Sequence, residues 1–196
     1  QAIDLSNGTA STLTLGEADV AAMLPTGATA LYIKGDASDR VVFRDAWQNT
    51  GTSTVDGITY QVFNRNGLDV HVQSSLTGSV EILGTSGSDT LQGGAGPDRI
   101  EADAGDDVID AGSGADSVFA GAGNDTLVFD AADQIIDGGT GTNVLKINDS
   151  TVDLTTISDA LATNFQVIDL TNSAVTNLTL GQADVAALLP TGVTTL

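Results

Sequence analysis

Residues 84–128 divide without a break into five nine-residue units that follow the pattern G-G-x-G-x-D-x-U-x, where U is a large aliphatic residue. In order, the units read GTSGSDTLQ, GGAGPDRIE, ADAGDDVID, AGSGADSVF and AGAGNDTLV. The sixth position is always aspartate, at Asp89, Asp98, Asp107, Asp116 and Asp125. The fourth is always glycine, at Gly87, Gly96, Gly105, Gly114 and Gly123. The eighth is always aliphatic, at Leu91, Ile100, Ile109, Val118 and Leu127. Because every unit must adopt the same local structure, this pattern constrains the fold more than any other feature of the sequence.

The composition of one unit predicts a tight turn followed by a short strand. Glycine tolerates positive φ angles, so the first six residues can bend sharply and direct main-chain carbonyls inward. The x-U-x triplet then forms a strand whose single aliphatic side chain faces inward. Since a strand of about three residues is not stable alone, the units are expected to stack into a right-handed coil in which two units make one turn. The predicted fold is therefore mainly β, with a parallel β-roll, a form of β-solenoid, over residues 84–146.

A turn of two units brings the aspartates of alternate units onto the same edge of the coil. It pairs Asp89 with Asp107, Asp98 with Asp116, and Asp107 with Asp125. Carboxylates stacked roughly 5 Å apart repel one another. A hard dication between them would instead be coordinated, with turn carbonyls completing a shell of about 6–8 oxygens. The sequence therefore predicts a row of Ca²⁺ sites, with the sixth-position aspartate side chains as ligands and the carbonyls of the fourth-position glycines as further candidates.

Other metals fit this composition less well. The chain has no cysteine and a single histidine, His71, so the sulfur and nitrogen ligands that zinc and copper prefer are scarce. Magnesium keeps more of its bound water than calcium does and is the weaker candidate. Calcium is therefore the expected cofactor. For His71, which falls among strand residues, a structural or exposed role is favoured over metal ligation.

Two degenerate units follow in register. The first, FDAADQIID, has lost its glycines, although Ile136 keeps the aliphatic position. The second, GGTGTNVLK, has Asn143 in place of the aspartate. Since asparagine carries no charge, this unit is predicted to close the roll without holding a metal. In the regular units, alanine replaces the first glycine of the last three and Asp103 replaces the second glycine of the third. Calcium binding is still expected there, because alanine also offers a carbonyl.

The charge of the chain limits its partners. Its 26 acidic and six basic residues give a formal net charge of −20, and all but three of the acids are aspartates, which favour turns over helices. Nucleic acid and anionic membranes require basic surfaces and are not expected as partners. A hydrophobic content of 41% argues against disorder. Without cysteine no disulfide can form, and no apolar stretch approaches the ~20 residues of a membrane span.

A second repeat has a much longer period. Residues 2–31 and 167–196 align without gaps at an offset of 165, with 19 identities in 30 positions. This predicts a tandem array with a period of about 165 residues. The chain, which starts at Gln1 rather than at methionine, is then expected to be an excerpt that holds one period and the start of the next. The alternative is a single domain capped by two similar ends.

The repeated segment predicts strands and short helices. Residues 3–5 and 13–15 alternate like strands, and capping boxes precede helices that end at prolines. The boxes are Thr14 with Glu17 and Thr179 with Gln182, and the helices are 18–24 and 183–189. A further short helix is considered within residues 152–163.

Residues 40–82 are predicted to form an antiparallel meander with a hairpin at Asp56-Gly57. Five of the eight aromatic residues fall in or just before this segment. They are interpreted as the core of a small β unit rather than as a sugar-binding platform. The whole chain is thus divided into a β-rich unit with one short helix and the meander at 1–83, the roll at 84–146, and a strand–helix segment at 147–196 that begins the next repeat.

The nonapeptides resemble the RTX family, whose calcium-binding parallel β-rolls occur in proteins exported by bacterial type I secretion. The flanks, notably LYIKGDASDRVVF at 31–43, and the long period of the second repeat resemble the repeats of very large bacterial surface adhesins and biofilm proteins. This resemblance implies export as an unfolded chain, folding outside the cell where calcium is abundant, and a place on the bacterial cell surface.

The predicted function is that of a calcium-binding structural repeat module of a secreted adhesin, rigidified by extracellular calcium and serving as an extender in adhesion and biofilm formation. Its expected partners are calcium ions, neighbouring copies of the module, and cell-surface or matrix components. The alternatives are a building block of an S-layer or surface filament, and the RTX secretion module of a secreted enzyme. Neither an HExxH helix nor a G-x-S-x-G elbow occurs in the sequence, so catalysis by this segment is not expected.

Overall fold

The computed structural model describes residues 1–76, 80–148, 150–158, 160–171, 177–190, 192 and 194. In this part of the chain, strands form two long sheets and a small one. The first long sheet contains, in spatial order, β1 (Ala2–Asp4), β3 (Ala30–Lys34), β7 (Leu68–Gln73), β6 (Ile58–Arg65), β5 (Gln48–Val55), β9 (Thr90–Ala95), β11 (Val108–Ser113), β13 (Thr126–Phe129), β15 (Val144–Ile147) and β18 (Val167–Asp169). The second contains β17 (Ala162–Thr163), β14 (Ile135–Asp137), β12 (Ser117–Phe119), β10 (Arg99–Glu101), β8 (Val80–Leu83), β4 (Arg40–Phe43) and β2 (Thr12–Leu15). The small sheet pairs β16 (Thr151–Asp153) with β19 (Asn177–Thr179).

In the nonapeptide segment the chain alternates between the two long sheets, one unit to each. Strands β9, β11 and β13 pair in parallel in the first sheet, and β8, β10, β12 and β14 do so in the second. Paired residues are 18 positions apart, as Leu91 is from Ile109 and Ile100 is from Val118. One turn of the coil therefore takes two units, and the predicted parallel β-roll is confirmed.

The eighth-position aliphatic side chains fill the space between the two sheets. All five are at most 2% exposed, namely Leu91, Ile100, Ile109, Val118 and Leu127. Burying each of them stabilises the fold by roughly 1.5–3 kcal/mol. Because each short strand contributes only one such side chain, the roll depends on stacking successive turns. The turns between the strands, with their aspartates, then lie along the two edges of the roll.

Both long sheets continue beyond the nonapeptides. On the N-terminal side, β8 pairs in parallel with β4, and β4 pairs in parallel with β2. On the C-terminal side, β15 pairs in parallel with β18, and β14 pairs in parallel with β17. The division into units at residues 83 and 146 stays a prediction, and at both points the sheets are continuous.

The antiparallel meander is shorter than the sequence predicts. It consists of β5, β6 and β7, with a turn at Asp56-Gly57 in which both residues have positive φ. Strands β4 and β8, which the prediction included in the meander, instead pair in parallel with each other, and Val41 lies opposite Val80. The reason is that the meander is an insertion in the first sheet, which leaves β4 and β8 adjacent in the second.

The aromatic residues of this region lie in the core. Phe43, Trp47 and Phe63 are fully buried, and Phe43 packs against the other two with ring centroids 5.4 and 4.6 Å away. His71 is 9% exposed, stacks on Tyr32 with ring centroids 4.4 Å apart, and bonds to the Ser53 hydroxyl through Nδ1 at 2.8 Å. These contacts agree with the interpretation of the aromatics as core and of His71 as structural.

The two copies of the repeated segment each form a short helix, α1 (Glu17–Met23) and α2 (Gln182–Leu188). The predicted capping boxes are wrong, because Thr14 and Thr179 lie in strands. Instead Gly16 precedes α1 and donates its N–H to the Asp19 carboxylate at 2.9 Å. Gly181 and Asp184 do the same at α2.

The helix considered within residues 152–163 is not present over the described part of that range. A single 3₁₀ turn, Leu154–Thr156, follows β16, and Asp153 accepts the Thr155 N–H at 3.1 Å to cap it. Residue 159 lies outside the described residues. Within the described ranges, no helix has the length and apolar character needed to cross a membrane.

Candidate calcium sites

The sixth-position aspartates form two columns, one along each edge of the roll. In each column, Oδ1 of one aspartate accepts the main-chain N–H of the aspartate one turn earlier. Asp89 donates to Asp107 at 2.7 Å, Asp98 donates to Asp116 at 2.7 Å, and Asp107 donates to Asp125 at 2.9 Å. The three pairs predicted from the spacing are therefore brought together. Each pair is linked by an N–H···Oδ1 hydrogen bond that the sequence pattern did not indicate.

The second carboxylate oxygen of these columns is buried and has no hydrogen-bond partner in the protein. This holds for Oδ2 of Asp98, Asp107, Asp116, Asp125 and Asp133. Burial, with the nearby carboxylates, raises the pKa of Asp98 to about 8 and that of Asp133 to about 7. Burial also raises the pKa of Asp107 to about 6, and those of Asp116 and Asp125. An unpartnered buried polar group costs about 1–3 kcal/mol, and more when it is charged. A cation bound at these oxygens would remove that cost.

Asn143 shows which main-chain groups surround such an oxygen. Its Oδ1 accepts the Asp125 N–H at 3.0 Å and so continues the column. Its Nδ2 stands where an aspartate has its second oxygen, and it donates to the carbonyls of Gly138 and Asn164 at 2.6 and 3.0 Å. An amide therefore supplies the hydrogens that these two carbonyls accept. This gives a physical reason for the prediction that the unit holds no metal, although the sheet continues past it, because β15 pairs with β18.

The surroundings of Asp98 match those of Asn143. A Cβ built on Gly93, the first residue of its unit, would lie 2.8 Å from Asp98 Oδ2 and 2.4 Å from the Ala111 carbonyl oxygen. A Cβ built on the first glycine of the Asn143 unit would lie 2.9 Å from Nδ2 and 2.6 Å from the facing carbonyl oxygen. Asp98 thus presents a carboxylate oxygen near the equivalent of the Asn164 carbonyl, that of Ala111. Carboxylate and carbonyl oxygens are the ligands of Ca²⁺, so the residues present fit this ion.

The side chains alone do not form a metal site. Among the described residues, no group of three or more His, Cys, Asp or Glu side chains is placed to hold a metal ion. A calcium ion at the columns would therefore take main-chain carbonyls for much of its shell. The first-position carbonyls, such as that of Ala111, are candidate ligands, and the expectation that alanine still offers a carbonyl there included them.

Two members of the columns depart from the pattern. Asp89 is only partly buried, and its Oδ2 accepts hydrogen bonds from the N–H and the hydroxyl of Thr85 at 2.6 and 3.0 Å. Asp133 was not predicted as a ligand, because it occupies the fifth position of a unit without glycines. It nevertheless accepts the Asp116 N–H at 3.3 Å and is 8% exposed. The signal that could have found it was an aspartate one residue out of register.

The fourth-position glycines set the close approach of successive turns. Gly105, Gly114 and Gly123 have φ angles of 126°, 154° and 150°. A Cβ built on Gly123 would lie 1.9 Å from the carbonyl oxygen of Gly105, one turn earlier. No side chain fits in this space. The carbonyls of these glycines stay predicted ligands.

Comparison with protein families agrees with this geometry. Four overlapping stretches, 83–118, 93–127, 105–133 and 116–145, match the RTX calcium-binding nonapeptide repeat. The chain carries RTX calcium-binding repeats. These repeats bind calcium, which confirms the predicted cofactor, and they cover about a third of the chain. No curated protein matches the chain. The RTX repeats here are the two aspartate columns and the turns that carry them.

Proposed function

We propose that this chain is a calcium-binding structural module of a secreted bacterial surface protein, in which it acts as an extender for adhesion or biofilm formation. The observation that carries the proposal is the set of five buried carboxylate oxygens without a partner, in a chain of net charge −20. A dication bound at these oxygens would stabilise such a structure. The repeated segment at the two ends supports a role as one unit among many.

Calcium would act as a switch between a loose and a rigid state. Without calcium, the buried carboxylates and the net charge both oppose compaction. Calcium modules outside cells bind with dissociation constants of roughly 10⁻⁴–10⁻³ M. Each site that binds only the folded state adds about 2.7 kcal/mol at a hundredfold excess over its dissociation constant. A chain of this kind would stay exportable inside the cell and become rigid outside it.

We also propose that the module is not an enzyme and that it is located at the cell surface. Support for the first point comes from the site chemistry, because the buried carboxylates lie along the edges of a roll and their Oδ1 atoms accept main-chain N–H groups. The alternatives are a unit of a surface lattice and a secretion module attached to an enzyme. A lattice unit would associate with itself when calcium is added, whereas an extender would stay monomeric.

The test compares folding with and without calcium. Circular dichroism and thermal melting of the 196-residue chain would be recorded in chelator, and calcium would then be titrated into the same sample. A cooperative gain of β signal and a rise in melting temperature are expected with calcium. Magnesium at the same concentration serves as the control and should produce much less, because it dehydrates reluctantly. Sedimentation in calcium would distinguish a monomer from a lattice-forming unit. Full native structure and an unchanged melting curve in excess chelator would overturn the proposal.

A further inference from the structure

The two copies of the repeated segment have different surroundings. The first copy, from Gln1 onward, packs against the module that follows it in the chain. The second copy, from Gln166 onward, lies on the end of the module that precedes it. The two copies are closely similar in sequence and form the same elements, β1, β2 and α1 in one and β18, β19 and α2 in the other. Each copy therefore shows one half of the contacts that the segment can make.

The strands of the second copy extend the preceding module. Strand β18 pairs in parallel with β15, with Leu145 opposite Ile168, and β19 pairs in parallel with β16, with Val152 opposite Leu178. In the first copy, β1 is the end strand of the first long sheet and β2 is the end strand of the second. In the described part of the chain, β1 pairs only with β3 and β2 only with β4. Exposed edges of this kind are templates for a further strand.

The aspartate column also continues into the second copy. Asn143 donates its N–H to Oε1 of Gln166 at 2.5 Å, and its carbonyl accepts the N–H groups of Gln166 and Val167 at 3.1 and 3.2 Å. Gln166 is half-buried in this position. The equivalent residue of the first copy, Gln1, is exposed. The same side chain is thus present at the start of the module, ready to accept the same N–H from another copy.

The helices bury complementary sides. On α2, Asp184 and Leu188 are 7% and 3% exposed, and Ala187 lines a small apolar cavity with residues of the preceding module such as Phe129 and Leu161. The main-chain N–H of Phe165 donates to the Leu188 carbonyl at 2.7 Å.

On α1, the side equivalent to this one is uncovered, because Asp19 and Ala22 are exposed and Met23 is only half-buried. The other side of α1 is buried instead, with Val20 at 0% exposure, while its equivalent Val185 is half-buried. The buried side of α1 differs from the buried side of α2, so a single helix can make both sets of contacts at once.

We infer that copies of this chain join in series through a leading face, made of Gln1, the free edges of β1 and β2, and the Asp19, Ala22 and Met23 side of α1. The occupant of this face is the end of the preceding copy, with its strands β15 and β16 and the cavity lined by Phe129 and Leu161. The first long sheet then runs through the junction without a linker, strand β16 of the preceding copy extends the second long sheet at β2, and the array is one continuous solenoid. This inference rests on the tandem array of the proposed function.

The test uses a two-copy chain, residues 1–165 followed directly by residues 1–196, and compares it with the 196-residue chain, both in saturating calcium. Amide hydrogen exchange would be read in β1 and β2 of each copy. These strands should exchange at least about tenfold more slowly in the second copy than in the first, because only there is the leading face covered.

A matched pair of substitutions gives a second readout. Ala22→Arg placed in the first copy should leave the melting temperature unchanged. Placed in the second copy, where this side of α1 is covered, it should lower the melting temperature by several degrees. Ala18→Arg is the control, since Ala18 and its equivalent Ala183 are both exposed, and it should be neutral in either copy.

Equal exchange in the two copies, or an Ala22→Arg that is neutral in both, would overturn the junction and favour a domain capped by two similar ends. Calcium-dependent folding would survive that outcome. The failure of the junction is therefore distinct from a failure of the calcium-dependent function.

Discussion

Replacing Asp98 with asparagine should stabilise the calcium-free protein and reduce the stabilisation that calcium adds. Asp98 is 5% exposed, and its Oδ2 has no hydrogen-bond partner. The Ala111 carbonyl oxygen lies near it, on the same side of Gly93. Burial raises its pKa from 3.8 to about 8. At pH 7 this shift costs the fold on the order of 4 kcal/mol, because the folded group holds a proton that the unfolded group releases. An amide at this position carries no such cost and can donate to the nearby carbonyl, as Asn143 does.

The gain in the calcium-free free energy of unfolding is therefore expected to be about 2–4 kcal/mol, or a rise in melting temperature of about 5–10 °C for a chain of this size. At a hundredfold excess of calcium over the dissociation constant, the parent gains about 2.7 kcal/mol from the site, whereas the variant lacks a charged ligand and should lose this gain. Melting followed by circular dichroism, in chelator and in calcium, measures both effects. The lead of the variant in chelator should shrink by about 2.7 kcal/mol in calcium.

The control is Asp103→Asn, which removes the same charge from an exposed residue whose φ of 75° asparagine tolerates. It should change the free energy of unfolding by no more than about 0.5 kcal/mol, either in chelator or in calcium. If Asp98→Asn melted below the parent in chelator, the buried oxygen would not be the unpartnered group that the structure places there, and the reasoning would be refuted.

Three further predictions follow from the same columns. Asn143→Asp should add one calcium ion per chain in a calorimetric titration and lower stability in chelator; an unchanged stoichiometry would contradict the role of the Asn143 amide. The calcium-free fold should lose stability as pH rises from about 4 to 8, because carboxyls with raised pKa values bind more protons folded than unfolded; urea titrations at several pH values should show this slope, and a slope of opposite sign would count against the buried carboxylates. Gly123→Ala should lower the free energy of unfolding by about 3 kcal/mol or more. Gly27→Ala, at a residue with positive φ but no atom within 4 Å, should lower it by only about 1 kcal/mol. Equal melting of the two variants would rule out the contact between turns.

The roll itself was predictable because its period is fixed. Each unit makes one turn and one strand, so the spacing of Ile100 and Val118 in the sequence is their spacing in the sheet. In the flanks the spacing varies, since Val41 pairs with Leu13 on one side and with Val80 on the other, at unequal separations along the chain. Connections of unequal length hide parallel pairing from any periodic pattern. This is why the extent of the meander was misjudged.

The candidate sites divide in the same way. The aspartates at the sixth position, their pairing between alternate units and the choice of calcium are consequences of composition and period. Asp133 escaped prediction because a shifted turn places it in the column although it is one residue out of register. The N–H···Oδ1 bonds also escaped, since they depend on how closely one turn lies against the next.

By itself, the sequence determined that short strands with one aliphatic residue each must stack, and that the stack must carry rows of carboxylates. Only the tertiary structure decided which oxygens of those carboxylates lose their contact with water. That outcome depends on the path of main chain from another turn, such as the approach of Ala111 to Asp98. Local composition sets which groups are present, whereas desolvation is a property of the packed neighbours.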